Sequence, residues 1–359
     1  MSASKPRRPR RASRPSARCS RCGASVRAAP NSLRTEALDS LTQAALGAAV
    51  GHLVAGRELG SRAALVGAVC GTLPDLDVLV RYADPVTAMT VHRSWSHSWF
   101  WLTLATPVVW LIFRLVPGFR GGGWQMLLAI WLAFVTHPML DSMTIYGTQM
   151  LQPFSDYPIS VGSVFIIDPV FSVPLGVALV MALRRPARRR QVLSVALAFC
   201  TSYLVLSAGL QARLEHSAAL AAPQGASMVK AAPTPFNTVR WRLLSLSSGT
   251  HCDQFVYAWQ PAKPEAWRCY PQQRELDAGL GNHAPYQRMR WFTHGWYALR
   301  RDGDAVVVSD LRMGVEGFYL FRFVVGEIEQ EVVRPVAARQ LTPARPELRA
   351  FARAYRHAR

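Results

Sequence analysis

Apolar and polar positions are unevenly distributed along this chain. From position 41 to 210 run long apolar stretches almost free of charge, and outside them the pattern turns basic or alternating. The stretches 99–116, 124–139, 161–183 and 192–210 approach the ~20 residues that a membrane span needs. The stretches 41–55 and 63–73 are shorter and rich in Gly and Ala, which predicts two short or re-entrant helices able to pack closely. After position 210 the pattern changes to short alternating stretches broken by turns. A strand is predicted over 238–244. A hairpin follows from 288–299 to 304–310 across Arg301-Asp302-Gly303, and 318–333 supplies one or two more strands. The expected fold class is an α-helical integral membrane domain of about four spans plus two short or re-entrant helices, followed by a small β-rich soluble domain.

This pattern divides the chain into five parts. Residues 1–37 are a disordered basic extension, too poor in apolar residues to fold alone. Residues 38–210 form the membrane-embedded domain, 211–235 a linker, 236–340 the β-rich domain and 341–359 a basic tail. No unbroken apolar region or small-residue cleavage site follows the first charges, so the N-terminus does not read as a signal peptide. Cys19 and Cys22 form a lone CxxC without a second pair at zinc-finger spacing and read as incidental. Cys252 and Cys269 both fall in the β-rich domain; a disulfide between them requires an extracytoplasmic location, and two buried free thiols are the alternative.

Composition sharpens this picture. Of 359 residues 50% are hydrophobic and 18% charged, which excludes a disordered polymer. The formal net charge of +19 suggests nucleic acid as a partner until the cations are placed. They gather in the N-terminal extension, in the loop 184–190 and after position 211, whereas the long apolar region carries few. That distribution fits cytoplasmic anchors beside spans better than a DNA-docking surface, and no nucleic-acid partner is expected.

Candidate chemistry sits in three clusters bordering apolar segments: Asp75 and Asp77 after Pro74; His92, Arg93 and His97; and His137 with Asp141. Ionisable groups are costly to hold at such positions, and imidazole with carboxylate is the ligand mix of zinc, manganese and iron sites. The span from Trp99 leads away from His97 and the span from Trp124 returns to His137, so both clusters face one side of the membrane. Each has an ordinary role by itself. Asp75 and Asp77 could cap a helix, the His pair could be interfacial, and His137 with Asp141, four residues apart, could knit two helices. Convergence on one face argues for a shared site holding one or two divalent ions on Asp75, Asp77, His92, His97, His137 and Asp141. Asp168 is expected to orient a ligand or cap a helix. His52 reads as a packed polar residue, and the histidines and Asp253 of the β-rich domain show no ordered metal motif.

The run 39–51 (DSLTQAALGAAVG), Gly71-Thr-Leu-Pro-Asp-Leu-Asp77, His92-Arg93 with Ser96-His97-Ser98, and Thr136-His137-Pro138-Met139-Leu140-Asp141 resemble the YdjM-type family of inner-membrane, metal-dependent hydrolases. Thr144–Gln149, Pro153-Phe154-Ser155-Asp156 and Asp168-Pro169 fit the same pattern over about residues 38–210. The resemblance implies an integral inner-membrane hydrolase with a metal inferred from its His and Asp motifs. Gln43 stands where some members carry His. Members also tend to begin near the Asp-Ser-Leu-Thr motif, so a mis-called start with Leu38 encoded by the true initiator codon is an expectation here.

The positive-inside rule orients the chain. The loops 114–123 and 184–190 carry seven Arg and the site-side loop 145–161 none, which places the site and the β-rich domain outside the cytoplasm. The ten cations of the N-terminal extension point the other way if the two early helices both span. In the expected mechanism a zinc, manganese or iron ion lowers the pKa of bound water, Asp77 serves as general base, and Arg93 neutralises a phosphate-like substrate. The bilayer is a partner, and a small molecule or a lipid or lipid-linked phosphoester is the substrate. The competing class is a non-enzymatic transport, ion-binding or assembly protein using the same cluster.

Overall fold

The computed structural model describes residues 32–341, with side chains from Ser40 onward. The expectations for the N-terminal extension before Ser32, including its CxxC and the start codon, and for the basic tail from position 342 lie outside the described residues. The described chain is helical in its N-terminal part and β-rich in its C-terminal part.

Helix α1 (Ser32–Leu59) and helix α2 (Arg62–Thr72) form an antiparallel hairpin. Glycine makes the close packing possible: a Cβ on Gly47 would lie 2.2 Å from the Gly67 carbonyl oxygen, and one on Gly71 would lie 2.5 Å from that of Gln43. α1 is longer than the short helix expected, and α2 matches the predicted stretch. Next come a 3-10 turn (Pro74–Leu79), α3 (Pro85–Val91), a second 3-10 turn (Trp95–His97), α4 (Trp99–Leu115), α5 (Trp124–Ser142), α6 (Pro169–Arg184) and α7 (Arg189–Ala221). Two apolar cores join these helices. Val66, Leu102, Ile130 and Phe134 pack between α1, α2, α4 and α5, and Leu46, Leu140, Leu175 and Leu193 between α1, α5, α6 and α7.

Among the described residues one helix, Pro186–Ala221, is long and apolar enough to cross a membrane by itself. Pro85–His97 and Trp99–Leu115 reach that length together as a pair bent by 57°. The 17, 19 and 16 residues of α4, α5 and α6 fall at or below the ~20 of an upright span. Their outward faces are nevertheless apolar, with Leu104, Val108, Leu111, Val173 and Val177 all exposed.

The loops sort by charge between the two ends of the bundle. Arg62 donates to the Gly118 carbonyl at 3.1 Å, and Glu58 accepts from the Gly123 amide at 3.1 Å. The Arg189 guanidinium packs against Gly56. The α1–α2 turn, the α4–α5 loop and the α6–α7 loop therefore share one arginine-rich end. His97, His137 and Asp141 lie at the other, where the β-rich part is attached.

That part holds two four-stranded antiparallel sheets and a two-stranded hairpin. The first sheet runs β1 (Met228–Pro233), β2 (Arg240–Leu246), β3 (Thr250–Tyr257), β4 (Arg268–Pro271). The second has β5 (Tyr297–Asp302), β6 (Ala305–Asp310), β9 (Arg322–Glu329) and β10 (Val332–Gln340), in the order β10-β9-β6-β5, while β7 (Gly314–Val315) pairs with β8 (Phe318–Tyr319). α7 continues to Ala221 and β1 begins at Met228, so most of 211–235 belongs to regular elements. The predicted hairpin forms with its first strand starting at Tyr297. The preceding stretch is helix α8 (Ala284–Phe292), whose Tyr286, Met289 and Phe292 recur at helical spacing on its buried face. Cys252 and Cys269 are directly opposed across β3 and β4 and are disulfide-bonded. A shared core of Val86, Met89 and Tyr146 with Met289, Phe292 and Phe323 seats this part on the site end of the bundle.

Candidate metal centre

Two of the predicted clusters sit where helices break, and the third lies in the last turns of a helix. Leu73 closes α2, and Pro74 opens the 3-10 turn that presents Asp75 and Asp77. Asp84 caps α3 by accepting from the Val86 and Thr87 amides. The turn holding His97 is tied by the His97 amide to Ser94 O at 2.9 Å, and Ser98 caps α4. His137 and Asp141 occupy the last turns of α5 on one face, with Pro138 inside the helix.

Four side chains from these three clusters converge. Asp75, His97, His137 and Asp141 each offer one ligand atom, and no two of these atoms lie more than 4.8 Å apart. The Nε2 atoms of His97 and His137 are 3.0 Å apart. Asp141 Oδ2 lies 3.1 and 3.4 Å from them, and Asp75 Oδ1 lies 3.4 Å from each. A tetrahedral site with bonds of about 2.0–2.2 Å has ligand–ligand edges of about 3.3–3.6 Å, close to these separations. This buried group could hold a metal ion.

The hydrogen bonds behind the group test that fit. His137 Nδ1 is 2.7 Å from the Gly71 carbonyl, an acceptor only, so Nδ1 is the donor there and Nε2 is the ligand atom that faces the group. Ser96 Oγ donates to Asp77 Oδ2 at 2.6 Å and lies 2.9 Å from His97 Nδ1, which makes that nitrogen the donor to Ser96 and leaves Nε2 as its ligand atom. Two imidazole Nε2 atoms thus face each other and the two carboxylates. Asp75 Oδ2 and Asp141 Oδ2 are buried and make no hydrogen bond. Two imidazoles and two carboxylates with orphaned buried oxygens are a donor set that fits a divalent cation.

The remaining predicted residues surround this group. Asp77 and His92 stand outside the four: His92 Nδ1 is 2.7 Å from Asp77 Oδ1, and Asp77 Oδ2 also accepts from the Arg93 amide at 3.1 Å. Burial works to raise the Asp77 carboxyl, yet the bonds from His92 and Ser96 hold it below the usual carboxylate range. Burial opposes ionisation of Asp75 too, and the imidazoles of His137 and His97 hold it far down. Arg93 is buried at 2% exposure, with Nε 3.4 Å from Asp141 Oδ2, Nη1 donating to Thr144 Oγ1 at 3.2 Å and the guanidinium over the Tyr146 ring. Its φ of 63° lies in the left-handed region that a non-glycine residue rarely adopts. Asp168 caps α6 through the Val170 amide and accepts from Tyr203 at 2.6 Å. With Asp141 it lines a small cavity that also touches Thr42, Thr144 and Ser172. His52 is buried, its Nδ1 3.2 Å from Gly60 O.

One neighbour had only an indirect signal in the chain. Gln43 is buried in α1 and donates to Asp141 Oδ1 at 2.8 Å, which turns Oδ2 towards the imidazoles. Its only mark in the sequence is that it departs from the His of the motif it resembles.

Residues 38–213 match the model of the YdjM inner membrane protein family. A stretch of 114 residues is 25% identical to the uncharacterized protein YfhP of Bacillus subtilis (strain 168), covering 30% of this chain and 33% of YfhP. The match thus spans about a third of that relative's length. No solved structure matches the chain.

Proposed function

We propose that this chain is a multi-pass membrane hydrolase whose divalent metal ion is held by Asp75, His97, His137 and Asp141. The facing Nε2 atoms of His97 and His137, flanked by the carboxylates of Asp75 and Asp141, carry this reading. Two nitrogens and two oxygens suit zinc, manganese or iron. When bound, such an ion supplies Lewis acidity and activates water at neutral pH.

The chain's own residues then divide the work. Asp77 fixes the ring of His97 through Ser96, and also orients His92. His92 is 25% exposed and stands beside the group, suited to accept or donate a proton at Nε2 while Asp77 balances its charge. Arg93, predicted to meet the substrate, is buried behind Asp141 and steadies that ligand instead. Asp75, 15% exposed, is the most accessible of the four ligands. Leu76, Val78, Leu79, Trp95 and Phe154 near it in sequence or in the facing turns are exposed and apolar. This surface supports a lipid or lipid-linked phosphoester as substrate, with its acyl part in the bilayer and its ester at the site.

The arginine-rich end of the bundle is assigned to the cytoplasm by the positive-inside rule, which puts the metal centre and the β-rich part outside. The Cys252–Cys269 bond supports this, because disulfides persist in oxidising compartments. Under this reading α1, α2, α4, α5, α6 and α7 all run between the two ends.

The test is elemental analysis of detergent-purified protein beside His97→Ala and Asp141→Asn variants, followed by phosphoester-lipid turnover. One ion per chain, lost in the variants together with turnover, is expected. Absence of metal from the wild type after reconstitution overturns the proposal. Retained metal with no turnover of any ester-bearing lipid supports ion binding without hydrolysis.

A further inference from the structure

The end of the bundle opposite the metal centre contains a second unexplained feature. Arg189 opens α7, a helix of 33 residues, and is only 8% exposed. Its Nε is buried and makes no hydrogen bond. Its guanidinium lies against α1, where a Cβ on Gly56 would sit 2.7 Å from Nη1, so this approach depends on the glycine. Arg57 and Arg190 are close enough to repel it. The nearest carboxylate in sequence, Glu58, accepts from the Gly123 amide. Among the described residues no ion pair joins Arg57, Arg189 or Arg190 to any carboxylate.

A guanidinium whose Nε is buried without a partner and whose charged neighbours are cations is unfavourable, because part of its hydration is lost and no counter-charge replaces it. Here Arg57 and Arg190 add like charges beside it. A guanidinium among further arginines is complementary to phosphate, which accepts bidentate hydrogen bonds. We propose that Arg189, with Arg57 and Arg190, binds a phosphate-bearing anion at this end of the bundle, supplied by the headgroup of an anionic phospholipid. The ligand neutralises Arg189 and pins α1 to the α6–α7 loop. This site is independent of the metal centre and of any hydrolytic activity.

The experiment uses the full chain in neutral detergent. Phosphatidylglycerol, phosphatidylcholine and inorganic phosphate are titrated separately, read by thermal unfolding and by lipid retention in native mass spectrometry. Phosphatidylglycerol should raise the unfolding temperature and remain bound, while phosphatidylcholine should not. Arg189→Gln should weaken phosphatidylglycerol binding by about tenfold, the scale of losing a charge-assisted bidentate contact. Gly56→Ala keeps every charge but displaces the guanidinium, and should also weaken binding; it serves if Arg189→Gln does not fold. Equal stabilisation by inorganic phosphate assigns the same site to a soluble anion. Unchanged phosphatidylglycerol binding in both variants, or equal binding of phosphatidylcholine, overturns the proposal.

Discussion

His97 and His137 point their Nε2 atoms at each other across 3.0 Å, and each ring is held by its opposite nitrogen. His137 is tied to the Gly71 carbonyl and His97 to Ser96. The arrangement predicts a ranking. His97→Ala or His137→Ala removes a ligand and should abolish stoichiometric metal retention. His92→Gln and Ser96→Ala alter only groups behind the ligands and should weaken affinity about 10–100-fold, with metal still bound at saturation. Competition with a graded chelator distinguishes the two classes. Equal losses for His92→Gln and His97→Ala would place His92 among the ligands, as the sequence alone suggested.

The α1–α2 hairpin positions the Gly71 carbonyl and Gln43, and so bears on the same centre. A methyl group on Gly47 would meet the Gly67 carbonyl oxygen at 2.2 Å, backbone that no rotamer change can relieve. Gly47→Ala should therefore destabilise the protein by about 3 kcal/mol or more, at the upper end of overpacking costs. Thermal unfolding in detergent reads the loss. Gly176→Ala, at a helical glycine with nothing within 4 Å of a new Cβ, is the control and should leave stability within about 0.5 kcal/mol.

The chain order of the three clusters made the His/Asp group legible, because two helices leaving and returning to one face bring His97 and His137 together whatever their tilt. Pattern could not separate Asp75 from Asp77, two residues apart. That choice depends on the 3-10 turn after Pro74, which aims Asp75 at the imidazoles and Asp77 at His92 and Ser96. Arg93 was equally hidden, since its burial follows from a left-handed backbone and from Tyr146 and Thr144, fifty residues further on. The strands were read from alternation. Helix α8 was misread as strand because its nine residues mix aromatic and basic types, and only the spacing of Tyr286, Met289 and Phe292 betrays the period.

Glu316 provides a pH test away from the His/Asp group. Burial alone would raise its carboxyl, but hydrogen bonds from His251 and Arg300 lower it from 4.5 to about 2. A carboxyl depressed in the folded state contributes stability above its unfolded pKa and loses it as pH falls through the folded value. The contribution should be complete above about pH 5 and disappear between pH 4.5 and about 2. Glu316→Gln should lower stability at neutral pH and flatten the acid limb of the stability profile. An unchanged limb in the variant would show that other carboxylates govern acid unfolding.

Arg93 offers the sharpest separation between a role in the substrate pocket and a role behind it. Its guanidinium is buried against Asp141, and its Nη1 also holds Thr144, the residue whose hydroxyl closes the end of α5 by donating to Asp141 O at 2.7 Å. Removing one partner from such a pair leaves a buried charge, a loss of about 3–5 kcal/mol. Arg93→Met should therefore lower the unfolding temperature of the metal-free protein and weaken metal binding, because Asp141 loses the contact that orients it. A residue serving only to bind a phosphate would leave both quantities unchanged and affect turnover alone. Lysine keeps the charge but cannot reach Asp141 and Thr144 with one planar fork, so Arg93→Lys should recover only part of the stability. Unfolding curves of the metal-free variants, measured beside their metal affinities, decide between these roles without any substrate in hand.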